Sequence, residues 1–151
     1  MISIEYLNGL DFFKNLSTEQ MAKVASIASL KTFEKDAYVQ KENEESEALF
    51  FVHSGRVDLQ IDMPQNRKIV IFTVQPGGMF GWSAIVPPHE VTASSICVTD
   101  SELIEVHRDP FLELLENDIY MKAAVHEKIS QIIGLRLRET RLQLFYLLGW
   151  G

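Results

Sequence analysis

Apolar residues recur in this chain with helical spacing at both ends and with strand-like spacing between them, and the changes of period divide it into three parts. Near the start, Met21, Val24, Ala25 and Ile27 share one helical face. Ser17-Thr18-Glu19-Gln20 sets a hydroxyl at the helix start with a Gln three residues on, the capping-box arrangement, so the spacing predicts a helix over about residues 17–28. Before it, Leu7, Leu10, Phe12, Phe13 and Leu16 are apolar enough to dock the N-terminal segment onto whatever follows.

From Leu30 to Val106 the pattern becomes short apolar runs separated by turn residues, with strands expected at 37–40, 48–52, 56–61, 69–74, 91–98 and 102–106. Ser54-Gly55 reads as a hairpin turn between two of these runs, and Met63-Pro64-Gln65-Asn66-Arg67 as a longer exposed turn. Regular short strands with such punctuation predict an antiparallel sandwich or jelly roll.

Helical spacing returns at Asp109-Pro110, where an early proline costs little and Phe111, Leu112, Leu114 and Leu115 supply an apolar face. A longer helix is predicted from about Asp118. Its stripe runs through Val125, Ile129, Ile132, Ile133, Leu137 and Leu144 and continues to Leu148, long enough to require a partner. Residues 122–141 carry five basic side chains against two acidic ones, and Arg136, Arg138 and Arg141 read as the solvated flank of this helix. The segment Leu142 to Trp150 is too apolar to hang free in water.

At 151 residues the chain has the size of a single domain, 1–151, divided into an N-terminal helical segment (1–29), a β-roll (30–108) and C-terminal helices (109–151). The fold class is therefore mainly β with flanking helices. A formal net charge of −7 gives no electrostatic footprint for nucleic acid or an anionic membrane. No apolar run approaches the roughly 20 residues of a membrane helix, and the N-terminus lacks the basic and apolar regions of a secretion signal, from which a cytoplasmic location is expected. The single cysteine, Cys97, excludes internal disulfides and cysteine-based metal clusters, and in the alternating run 92–98 it reads as packing.

The one segment with distinctive chemistry is Pro76-Gly77-Gly78-Met79-Phe80-Gly81-Trp82-Ser83-Ala84, followed at 91–93 by Val91-Thr92-Ala93. A glycine-rich turn entering a short helix lets backbone amides approach an anion closely. Other clusters carry less. Glu42, Glu44, Glu45 and Glu47 lack the glycine and ligand spacing of a calcium loop and read as a solvated loop. His53, His89, His107 and His126 are scattered, with no His-x-His pair and no nucleophile motif, so neither a catalytic residue nor a metal site is expected.

Taken in order, the N-terminal helix, the strands with their Phe-Gly cassette, Leu49-Phe50-Phe51-Val52, Ser54-Gly55-Arg56-Val57, Thr99 to Val106 with Asp109-Pro110-Phe111, and the long terminal helix resemble the cyclic-nucleotide-binding domain family. In particular they resemble the sensor domain of catabolite-activator and FNR-type regulators. The resemblance implies a double-stranded β-helix followed by a short helix and a long C-terminal dimerisation helix. It also implies a ligand pocket at Phe80, Gly81, Trp82, Ser83, Ala84, Val91, Thr92 and Ala93, and a homodimer through Val125, Ile129, Ile132, Ile133, Leu137 and Leu144. The family grips the ribose with a Glu after the Phe-Gly pair and the cyclic phosphate with an Arg before the Thr-Ala pair. Trp82 and Val91 hold those places here, Gly78 stands where an Asp is usual, and no Lys or Arg occurs between Lys68 and Arg108. Of the groups in that stretch, His89 alone offers a partial cation.

The expectation is a stand-alone, non-enzymatic regulatory sensor domain that needs no cofactor. Its small-molecule ligand would be one other than cAMP, or none. The chain ends at Gly151, before the helix-turn-helix domain that DNA-binding members carry. The alternatives are an interaction module whose barrel and C-terminal helix bind a partner protein, and the sensor part of a transcription regulator lacking its DNA-binding domain.

Overall fold

In the computed structural model, which describes residues 1–149, eight strands and three helices follow in the order α1 (Thr18–Ile27), β1 (Ala28–Phe33), β2 (Tyr38–Gln40), β3 (Ala48–Ser54), β4 (Val57–Met63), β5 (Arg67–Val74), β6 (Met79–Phe80), β7 (Ser94–Cys97), β8 (Ser101–His107), α2 (Arg108–Glu116) and α3 (Ile119–Leu147). The strands pair antiparallel as β1 with β8, β2 with β7, β3 with β6 and β4 with β5. This nesting is a long hairpin folded over on itself, the double-stranded β-helix that the family resemblance implies. Two four-stranded sheets result, ordered β1-β8-β3-β6 and β2-β7-β4-β5.

The Ser54-Gly55 turn differs from its expected role. β3 belongs to the first sheet and β4 to the second, so the segment is an arch between sheets and not a hairpin. Gly55 has φ of +93°, and a Cβ there would meet Ser101 Oγ at 2.1 Å, so the arch admits only glycine without displacement. The Met63 to Arg67 segment is a hairpin turn as read, joining β4 to β5, with Gln65 and Asn66 in the left-handed region. Two strands escaped the pattern. β1 continues from α1 without a breaker, and β6 is two residues long inside the glycine-rich turn. Of the run 91–98, only Ser94–Cys97 is strand.

β3 is buried on both faces, which is why it reads as an unbroken apolar run. Phe50 and Val52 point between the sheets with Val57, Val74, Phe80 and Leu103. Leu49 and Phe51 point outward onto a helix-side core with Phe12, Phe13, Ile104, Phe111 and Leu115.

α1 begins with the capping box as read. Ser17 Oγ accepts from Gln20 N at 3.1 Å and Gln20 Oε1 accepts from Ser17 N at 2.9 Å. α3 begins on Asp118, whose Oδ1 accepts from Tyr120 N and Met121 N while Oδ2 accepts from Gln20 Nε2 at 3.0 Å, tying α3 to α1. These bonds hold the Asp118 carboxyl below the usual range, the Met121 amide contributing most.

α3 spends its apolar stripe in two ways. Met121, Val125 and Ile129 are buried in the helix-side core. Val125 and Ile129 therefore have no surface to give a partner, contrary to the expected dimer face. Ile132 and Ile133 lie at its edge, and beyond them Leu137 is 70% exposed and Leu144 51%. Trp150, the end of the expected apolar tail, lies outside the described residues.

Candidate functional site

The cassette is built by β5, the Gln75–Gly78 turn, β6 and the single 3₁₀ turn Trp82–Ala84. The turn is clamped to β3 by Gly77 N donating to Val52 O at 2.8 Å and Val52 N donating to Gly78 O at 3.0 Å. Gly81 adopts φ of +82°, and a Cβ there would stand 3.0 Å from Ala48 O and 3.2 Å from Gln40 Oε1. That close approach lets the chain reverse beside β3 and carry the 3₁₀ turn over the mouth of the barrel.

Seven of the eight predicted pocket residues, Phe80, Gly81, Trp82, Ser83, Val91, Thr92 and Ala93, line one small cavity together with Gln40 and Leu59. Ala84, the eighth, is fully buried and belongs to the helix-side core. Phe80 floors the cavity, its ring stacked on Phe50 at a centroid distance of 5.2 Å. Val91 is 5% exposed, held by hydrogen bonds between its own N–H and Glu44 O and between its carbonyl and Asn43 N. Trp82 is half-buried and packs against the helix-side core while also lining the cavity.

The cavity measures about 30 Å³, room for about two waters. Nucleotide-sized ligands occupy sites of roughly 300 Å³ or more.

A cation nevertheless reaches this site from outside the cassette. Arg136, on α3, is the one charged residue lining the cavity. Its Nη2 donates to Met79 O at 2.9 Å, and its guanidinium carbon lies 4.0 Å from the centroid of the Phe72 ring. It forms no ion pair among the described residues. Burial lowers its pKa from the usual 12.5 to about 10, so it remains charged at neutral pH. Arg136 is therefore no part of a solvated flank, and the empty stretch between Lys68 and Arg108 does not leave the cassette without a cation. The signal that would have found it is its register, seven residues after Ile129 and four after Ile132 on the core-facing stripe. Arg138 and Arg141 are exposed as read.

His89 lies outside the cavity lining, and its Nδ1 is hydrogen-bonded to Ser83 O at 2.8 Å. The acidic loop is more structured than a solvated loop would be, since Glu45 pairs with Arg108 at 2.9 Å and Glu42 Oε2 accepts from Asp62 N at 3.1 Å. Cys97 is buried, and desolvation pushes its thiol pKa up. Among the described residues no group of three or more His, Cys, Asp or Glu side chains is placed to hold a metal ion, and no helix is long and apolar enough to cross a membrane.

On the other side of Arg136 lies a groove of about 530 Å³ between α3 and the β5–β6 turn, floored by Phe72, Met79, Ile132 and Leu135. Arg136 is the one residue common to the linings of groove and cavity.

Comparison with known proteins agrees with this fold. The family model for the cyclic nucleotide-binding domain matches residues 30–118. The chain is 24% identical over 138 residues to the cyclic AMP receptor protein of Thermus thermophilus, covering 91% of this chain and 62% of that protein. It is also 24% identical to a CRP-like cAMP-activated global transcriptional regulator of Mycobacterium tuberculosis, covering 93% and 61%. The chain thus spans about three fifths of the length of these curated relatives. Among solved structures, a protein of Geobacter metallireducens GS-15 described as cyclic nucleotide-binding superposes with a TM-score of 0.80 at 26% identity, covering 91% of this chain and 99% of that one. The sensor domain of the regulator DNR from Pseudomonas aeruginosa shares the fold with a TM-score of 0.74 at 20% identity, over 89% and 91%.

Proposed function

The chain belongs to the cyclic nucleotide-binding domain family, and from that premise we propose that it is a non-enzymatic regulatory sensor acting in the cytoplasm, whose cassette does not hold cAMP in the family's usual way. The observation that carries this reading is the cavity of about 30 Å³, set against the roughly 300 Å³ or more of a nucleotide-sized site. Trp82 and Val91 add to it, since a Trp and a Val replace a carboxylate and a guanidinium. Losing two charge-assisted hydrogen bonds of about 1.5–3 kcal/mol each lowers affinity by about two to four decades.

The output of such a sensor is α3, whose exposed Leu137 and Leu144, with Ile132 and Ile133 at the edge of the core, fit a homodimer contact. Calorimetric titration of the full chain with cAMP and cGMP tests the reading. No heat of binding is expected at low-micromolar concentrations, and tight binding of either nucleotide would overturn it.

A second reading is favoured by the same exposed helix: Leu147 is 61% exposed and Leu148 53%, a surface suited to a partner protein. On that reading the domain is an interaction module, or the sensor part of a transcription regulator of the kind its relatives are named for.

A further inference from the structure

Strand β8 sets a carboxylate where its neighbours set apolar groups. Leu103 packs between the sheets, and Glu105, two residues on, shares that face of the strand, opposite Phe50 of β3. Glu105 is 7% exposed, and its Oε1 is sealed from solvent and accepts no hydrogen bond among the described residues. Lys31 Nζ at 3.4 Å and the His107 ring at 2.8 Å approach that oxygen at ion-pair distance, outside hydrogen-bond geometry. A carboxylate withdrawn from water is costly until a donor completes it.

Glu105 lines a pocket of about 170 Å³ between β2, the loop after it, the start of β3 and the end of β8. Glu44, Glu45 and Glu47 line it too, and among the described residues its lining holds no Lys or Arg. Arg108 pairs with Glu45, whereas Glu44 and Glu47 form no ion pair among the described residues. Val39, Phe50 and Val91 give the same pocket an apolar wall. Gln40 adds an acceptor, since its Nε2 donates to Ala48 O at 3.3 Å while its Oε1 has no hydrogen bond among the described residues.

This lining selects a class of ligand. A metal ion needs several ligands converging on one point, and among the described residues no three His, Cys, Asp or Glu side chains do so. An organic ammonium fits better, because it carries several donors for separated acceptors and an alkyl chain for the apolar wall. The volume is below the roughly 300 Å³ of a drug-sized site, so the chain must be short. We propose that this pocket binds a free, small alkylammonium ion, which donates to Glu105 and Gln40 Oε1 and lays its chain against Val39, Phe50 and Val91. The site goes beyond the cassette reading and does not depend on it. Gln40 and Val91 line both spaces, whereas Trp82, Ser83 and Thr92 line the cassette cavity and not this pocket.

The probe is n-butylammonium, exchanged for potassium at constant ionic strength while amide shifts of the full chain are followed by NMR. Saturable shifts are expected at Gln40, Val91, Glu105 and His107, with Trp82 and Ser83 unmoved. A dissociation constant of about a millimolar is expected for so small a ligand. Glu105→Gln keeps the shape and removes the charge, and it should weaken binding about ten- to a hundredfold. Glu44→Gln with Glu47→Gln changes exposed residues only, and it should weaken binding about threefold.

Shifts that do not saturate, that magnesium reproduces, or that keep the wild-type constant in Glu105→Gln would overturn the proposal. If Glu105→Gln does not fold, the double variant decides, and an unchanged constant there has the same consequence. Nα-acetyl-lysine amide, titrated in parallel, stands for the side chain of a partner protein. Tighter binding of that compound than of n-butylammonium would overturn the assignment to a free amine. The cassette reading is judged separately by cAMP, so failure of one leaves the other standing.

Discussion

The Arg136 guanidinium carbon lies 4.0 Å from the centroid of the Phe72 ring, and this stack joins α3 to β5 beside the cassette. Around this point α3 leaves the core, since Ile129 is 2% exposed and Leu137 70%.

Phe72→Ala removes the face beneath the guanidinium. The expected cost is about 2–3 kcal/mol, of which about 1 comes from the lost cation–π contact. Amide hydrogen exchange should accelerate over residues 131–139 and stay unchanged over 121–129, where Met121, Val125 and Ile129 hold the helix in the core. Uniform acceleration along α3 would contradict the stack's role as a local pin.

Trp82→Glu combined with Val91→Arg restores the two side chains by which the family grips a cyclic nucleotide. The double variant is expected to bind cAMP two to four decades more tightly than the wild type by calorimetry, the inverse of the loss of two charge-assisted bonds at about 1.5–3 kcal/mol each. It should also be less stable, because Trp82 packs against the helix-side core. A folded double variant with no gain would show that the size of the cavity, and not these two side chains alone, excludes the nucleotide.

Lys128, on α3, is 6% exposed and pairs with Asp11 at 3.0 Å, fixing the N-terminal segment to the helix. The Lys128 ammonium, and after it that of Lys14, holds the Asp11 carboxyl below its ordinary 3.8. A lowered folded-state value means that the stabilisation is complete above the ordinary pKa and disappears as pH falls through the folded one. Urea midpoints measured from pH 6 down to 2 should therefore drop in the wild type below about pH 4. In Asp11→Asn the midpoint should start lower and lose this part of the slope.

Leu137→Glu with Leu144→Glu places charge on the exposed part of the α3 stripe. Sedimentation velocity of the full chain is expected to show a dimer for the wild type and a monomer for the variant, with unchanged circular dichroism because neither residue belongs to the core. A dimer that survives both substitutions would move the contact elsewhere.

Cys97 is fully buried between the sheets, and desolvation raises its thiol pKa, the Ser101 hydrogen bond opposing in part. A thiolate reagent at pH 8 should leave the native protein unmodified for hours and react at once in denaturant. Rapid native reaction would identify an accessible thiol.

Local sequence carried most of the fold. The Ser17 to Gln20 capping box is set by groups within a few residues of one another, and it and the apolar strand run 48–52 are where the pattern placed them. Seven cassette residues were likewise identifiable as one cavity lining, because they occupy two short segments with a recognisable order.

What failed was whatever depended on distant partners. Ser54-Gly55 has a hairpin's local chemistry, but the choice between turning back and crossing to the other sheet belongs to the strands that accept β3 and β4, namely β8, β6, β5 and β7. The α3 stripe fixed which side of the helix is apolar, while the packing of α1, α2 and the N-terminal segment decided that Val125 and Ile129 are spent internally.

Arg136 is the sharpest case. Its chemistry is local and was visible, yet its placement is set by the crossing of α3 over β5 and β6, which brings residue 136 beside residues 72 and 79. Periodicity determines which faces of an element are apolar, whereas burial of a charge depends on what the fold lays against it. The sequence alone therefore determined the family's scaffold and set Trp82 and Val91 in the cassette, and the tertiary structure alone decided that a cation lines the cassette cavity.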